Sequence, residues 1–104
     1  MLSVLEVFPV RDPHTRVCVV RCIEGTAALG MEFLVVFPGE ERVEDPPRSR
    51  LEKIEWYGKS VEQLDTVHSG KVTLLGYSAE LLAPGSMLNH FQVDDQVDAG
   101  ALTV

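Results

Sequence analysis

Short apolar runs rich in β-branched residues alternate along this chain with clusters of Gly, Pro and charged residues, the rhythm of strands folded back through tight turns. Residues 2–10 predict a first strand, with Pro9 suited to a bulge, an edge or the strand's end because it has no N–H for a ladder. Arg11-Asp12-Pro13-His14 is turn chemistry, and Thr15 to Ile23 predicts a long second strand one hairpin away. Glu24 to Gly30 forms the next turn region. Met31 to Phe37 predicts a third strand, expected to pair with the second. Pro38 to Ser49 is polar and aperiodic and reads as an exposed loop.

Arg50 to Tyr57 predicts a fourth strand, with Ile54 and Trp56 on one face and Lys53 and Glu55 on the other. Trp56 and Tyr57 then point to opposite faces, one toward the core and one outside. Ser60 stands three residues before Gln63, a capping-box spacing, and predicts a single helical turn with Val61 and Leu64 inward. Lys71 to Tyr77 predicts a fifth strand. Ala79 to Leu88, around Pro84-Gly85, predicts a sixth strand or two short ones. Strands this short, joined by single turns, predict an all-β domain: a small, closed or partly open antiparallel β-barrel of five to seven strands. The barrel is assigned to residues 1–90. Residues 91–104 form an acidic tail with too few large apolar groups to order itself.

The chain is 45% hydrophobic and 24% charged, ordinary for a single globular domain. The start Met1-Leu2-Ser3-Val4-Leu5-Glu6 lacks the basic opening and apolar stretch of a signal peptide, and no run approaches the ~20 apolar residues needed to cross a bilayer, so a cytoplasmic location with no membrane partner is expected. Sixteen acids against nine bases give −7, of which Asp94, Asp95 and Asp98 of the tail account for three. Nucleic-acid binders rely on Lys and Arg to neutralise phosphates, so this balance argues against such a partner. Arg42, Arg48, Arg50 and Lys53 are close in sequence, but Glu40, Glu41, Glu44, Asp45 and Glu52 interleave with them and the stretch reads as a solvated charged loop.

With the strands placed, three stretches resemble the second-domain β-barrel of the translational GTPases, the family of elongation factor Tu and initiation factor two. Residues 20–33 carry Gly25 and Gly30 around a tight turn. Residues 51–64 end a strand at Gly58-Lys59. Residues 69–77, followed by Leu81-Leu82-Ala83-Pro84-Gly85-Ser86-Met87-Leu88, are similar to the family's closing strands. The resemblance spans residues 3–88 and implies a translation-protein type of barrel. There are three departures. No phosphate-binding G-x-x-x-x-G-K-S/T loop is present, which excludes a GTPase of that kind in this chain. Ser86 stands where the family often has Asp. The hairpin at Arg11-Asp12-Pro13-His14-Thr15 lacks the usual Gly-rich turn.

No catalytic constellation emerges, and neither a cofactor nor a metal is expected. Cys18 and Cys22, four apart in one strand, would place their Cα atoms about 13 Å apart, beyond disulfide reach. Both sit among valines, as small hydrophobes do, rather than in the electropositive setting of a nucleophile. His14, His68 and His90 read as solvated turn histidines without zinc spacing. Asp94, Asp95 and Asp98 lack the glycine and terminal glutamate of a calcium loop. The feature with most bearing on function is surplus apolarity: both faces of the first two strands are apolar, yet a small barrel has one interior. Leu5, Val7, Cys18, Val20 and Cys22, with Tyr57 as a surface aromatic able to stack on a ligand, are therefore the candidate partner surface. The expected function is a non-enzymatic module that binds a protein or a second copy of itself. The alternative, following the resemblance, is a translation-associated accessory module contacting tRNA or the ribosome.

Overall fold

The structure is a computed structural model and describes residues 1–39, 46–76 and 79–91. Nine strands follow in order: β1 Leu2–Val7, β2 Thr15–Cys22, β3 Ala27–Ala28, β4 Glu32–Val36, β5 Arg48–Trp56, β6 Lys59–Val61, β7 Gln63–Leu64, β8 Ser69–Leu75 and β9 Met87–Phe91, with a single 3-10 turn at Ala79–Leu81. Every pairing is antiparallel. The order β4-β9-β1-β2-β8-β5 closes on itself through β4–β5, making a six-stranded barrel with β6 added beside β5. The expected all-β barrel is thus present.

Its interior is lined by alternate residues of each strand: Leu2 and Val4, Cys18, Val20 and Cys22, Phe33 and Val35, Leu51 and Ile54, Val72 and Leu74, and Leu88, all at most 1% exposed. Burying a side chain of this size contributes roughly 1.5–3 kcal/mol. Two bulges adjust the alternation. In β5 the register shifts between Leu51 and Lys53, which sends Glu52 and Lys53 both outward and lets Leu51 and Ile54, three apart, both face the core. In β1 the shift falls between Val4 and Glu6; Leu5 and Glu6 are both exposed, and Val7 turns back against the core.

Several expectations are corrected. The third predicted strand, β4, pairs with β5 and β9 rather than with β2, whose neighbours are β1 and β8. The predicted helical turn at Ser60 is instead the pair of short strands β6 and β7: the tight turn at Tyr57-Gly58 reverses the chain at once, and β6 pairs back along β5 while β7 pairs with β3. Leu64 is buried as expected. The predicted sixth strand splits into the 3-10 turn, a turn at Pro84-Gly85 with Gly85 at φ +96°, and β9, which begins only at Met87. Arg48 and Ser49, assigned to the loop, open β5. The rest of that loop at 40–45 and the tail from 92 lie outside the described residues.

Arg16 ties one end of the barrel together. It faces inward and is 8% exposed. Its Nε donates to the Phe8 carbonyl at 2.8 Å, and its Nη1 donates to the carbonyls of Glu80 at 2.7 Å and Leu82 at 3.2 Å. Charged donors make the stronger hydrogen bonds, and this one group holds the segment after β1 to the segment before β9. The adjoining turn is closed by Ser86, fully buried, whose Oγ accepts from the Ala83 N–H while its carbonyl accepts from Val4. Replacing Arg16 with Met keeps most of the volume but strands three carbonyls. The expected cost is about 2–4 kcal/mol, read as a lower urea midpoint at unchanged slope; an unchanged midpoint would show that Arg16 is not the tie.

Candidate binding surface

The six residues of the expected partner surface are sorted by the fold into different places. Cys18, Val20 and Cys22 have no exposure and face the barrel interior, so they are core rather than surface. Val7, returned by the bulge, packs against that core. Leu5 is 48% exposed at the bulge, and Tyr57 is 86% exposed at a hairpin tip. The outward apolar residues of β2 are Val17 and Val19, each half-buried.

Four exposed apolar side chains, Ile23, Trp56, Tyr57 and Val67, lie at the barrel end formed by the β5–β6 hairpin, the segment after β2 and the loop before β8, while others such as Leu5, Val10 and Leu81 lie elsewhere. Trp56 pairs with Lys59 across the hairpin, leaving Tyr57 and Gly58 as a two-residue turn with φ of +53° and +78°. Left-handed values at both central residues mark a type I′ turn, in which Asn, Asp or Gly is the comfortable occupant of the first position. Tyr57 occupies it instead, at a backbone cost of roughly 1–2 kcal/mol. Trp56, expected on the core face with Ile54, is 37% exposed, because β5 runs past the end of the barrel there. Its ring meets Tyr57 edge-on at 4.8 Å and His68 edge-on at 5.4 Å.

Beside them Val67 is 64% exposed with φ +67°, an unusual conformation for a β-branched residue. It is held by Cys22, whose carbonyl accepts from the Val67 N–H at 2.7 Å and whose N–H donates to the His68 carbonyl at 2.9 Å. Ile23, 45% exposed, follows Cys22 directly. Two strained residues thus present bare apolar side chains at one end of the molecule, the setting in which local strain accompanies a binding role. The sequence signal for this was Tyr57 before Gly58, a wrong residue for the turn. Val67 had no such signal.

Two grooves mark the outer wall. One, of about 440 Å³, is lined by His14, Glu32, Arg48, Ser49, Arg50, Leu75 and Gly76. Arg50 donates there to Glu52 at 2.6 Å and stands opposite Glu32 in the ladder, so carboxylates already attend it. The other, of about 360 Å³, lies on the outer face of β2, β8 and β5 under the segment from Phe8 to Asp12. Lys71 stands over the Phe8 ring with its Nζ 4.9 Å from the centroid, and Lys53 meets Glu55 at 3.5 Å.

His90 lies in β9 with its ring 6.0 Å from that of Phe33 and is not the turn histidine expected, whereas His68 is exposed in the turn before β8 as expected, with its ring edge-on to Trp56. Among the described residues no three His, Cys, Asp or Glu side chains gather as a metal site, and no helix is long and apolar enough to cross a membrane. Both thiols are free and buried. Burial pushes the Cys18 thiol up to about 12, with the Arg16 charge pulling weakly the other way, so it is held as a neutral thiol. Compared with protein-family models, with curated proteins and with solved structures, the chain has no match.

Tyr57→Asn relieves the turn strain and forfeits an exposed ring contact of roughly 0.5 kcal/mol, so it is expected to raise stability by about 0.5–1 kcal/mol in thermal unfolding. A marked loss would show the tyrosine to be structural. For Cys18 the sign follows from its raised value: above about pH 8.5 the unfolded thiol sheds a proton that the folded one keeps. Stability therefore falls between about pH 8.5 and 12, by about 3 kcal/mol near pH 10.5. Urea titrations of wild type and Cys18→Ala at about pH 8 and about pH 10.5 measure it as the larger drop in wild type.

Proposed function

We propose that this chain is a non-enzymatic β-barrel module of the cytoplasm that engages a protein partner, or a second copy of itself, through its aromatic end. The observation that carries the reading is Tyr57: 86% exposed, in a left-handed turn position where it costs stability, and stacked edge-on with a half-exposed Trp56. Tyrosine and tryptophan dominate the energetics of protein interfaces because they offer large rigid contact area at low entropic cost. Their display here has no counterpart in the needs of the barrel, whose core is complete without them. The motif likeness of residues 3–88 to the second domain of translational GTPases supports the reading of a recognition barrel standing without a nucleotide domain. Free, buried cysteines fit a reducing compartment.

A translation-associated role, with Tyr57 and Trp56 stacking on a base at the tRNA end or on the ribosome, is the second reading; the exposed aromatic pair is what favours it. The formal charge of −7 opposes it. The test pairs wild type with Tyr57→Asn. Sedimentation velocity from about micromolar to millimolar detects self-association, and parallel affinity captures detect a heterologous partner; each is expected to weaken at least about tenfold in the variant. Monomeric behaviour together with identical captures from both proteins would reject the module reading. Co-sedimentation with ribosomes that falls steeply with salt would select the second reading.

A further inference from the structure

We infer that the groove under the Phe8–Asp12 segment is a second binding site, distinct from the aromatic end, and that it takes an extended peptide carrying carboxylate side chains. The fold assembles there what the sequence keeps apart. Lys53 from β5, Lys71 from β8 and Arg11 from the first hairpin converge on one groove of about 360 Å³, whose acids among the described residues are Asp12 and Glu55. One third of the nine Lys and Arg residues of a chain at −7 thus line a single concavity with a local excess of positive charge.

The carboxylates already present are partly committed. Asp12 accepts the His14 backbone N–H at 2.9 Å, and Glu55 meets Lys53 at 3.5 Å. Among the described residues Arg11 makes no ion pair, and Lys71 has the face of Phe8 in place of one. Glu6 lies one strand beyond, opposite Val19, whose other neighbour is Lys71. The floor is half apolar and half hydroxyl: Val17 lies beside Thr73, and Thr73 beside Lys53.

This mixture suits a side chain with an apolar neighbour better than it suits a polyanion. Carboxylates at alternate positions of an extended backbone reach the three cations, while an apolar side chain on the same face meets Phe8 and Val17. A nucleic acid would have to bring many phosphates against a chain with a formal charge of −7.

The site is tested by following backbone amide resonances while adding an acetylated, amidated octapeptide of sequence Ser-Glu-Ser-Glu-Ser-Val-Ser-Glu, whose carboxylates and valine share one face when extended, its glutamine counterpart, and a short oligothymidylate. Saturable shifts confined to residues such as Val17, Lys71 and Thr73 are expected from the glutamate peptide alone. A Lys53→Gln/Lys71→Gln double variant, with its amide spectrum otherwise intact, should bind roughly tenfold more weakly, and raised salt should act in the same direction. Tyr57→Asn should leave this binding unchanged, which separates its outcome from that of the aromatic end. Equal shifts from the glutamine peptide, no shifts from either, or tighter binding of the oligothymidylate at the same residues would each overturn the assignment.

Discussion

The barrel depends on strand β5 pairing along both of its edges. β8 runs the length of one edge, from Arg50 opposite Leu75 to Glu55 opposite Lys71. The other edge is shared: β4 takes Arg48 to Arg50, and β6 takes Ile54 to Trp56. Next to β4 the Leu51 N–H donates to the Met31 carbonyl and the Leu51 carbonyl accepts from the Gly30 N–H, which extends this edge's bonding one residue further. The β4–β5 pairing is what turns an open sheet into a barrel, because it joins the first strand of the order to the last. Closure removes the long unpaired edges that an open sheet of this size would expose.

Closure also imposes a shape on what is left over. A strand that serves two partners on one edge must overrun the barrel at one end, and it is this overrun that carries Trp56 out of the core and lifts Tyr57 onto a hairpin tip. The seam between β9 and β1 pairs only Leu2 and Ser3, on the Cys22 side of the barrel, and leaves the opposite end without a β1–β9 ladder. Arg16 and Ser86 stabilise that end by hydrogen bonds to backbone rather than by more ladder. One end is therefore tied by polar groups, with Leu81 exposed beside them, while the other displays Tyr57 and Val67 on strained backbone.

Much of the strand pattern was legible in the residues. β2, β5 and β8 fall within a few residues of the runs that predict them, because β-branched alternation and Gly or Pro punctuation are local properties. That the two cysteines are too far apart in one strand to pair was legible for the same reason. The partner surface was read less well. Counting every second residue from Val4 puts Leu5 and Val7 on one face, but a bulge inserts a residue and reverses the count, and nothing in the local sequence announces where the ladder slips. Likewise an apolar residue in a strand points to one face or the other, and the choice for Cys18, Val20 and Cys22 over Val17 and Val19 belongs to the neighbours β1 and β8.

The amino-acid sequence alone determines that this protein is an all-β domain with an acidic surface, since chain-local propensity, turn chemistry and net charge need no partner to be read. Which strands are neighbours, which valines are core, and that Arg11, Lys53 and Lys71 share a groove emerge only in the folded barrel. These are relations between residues far apart in the chain, and hydrogen-bonded closure is the interaction that creates them.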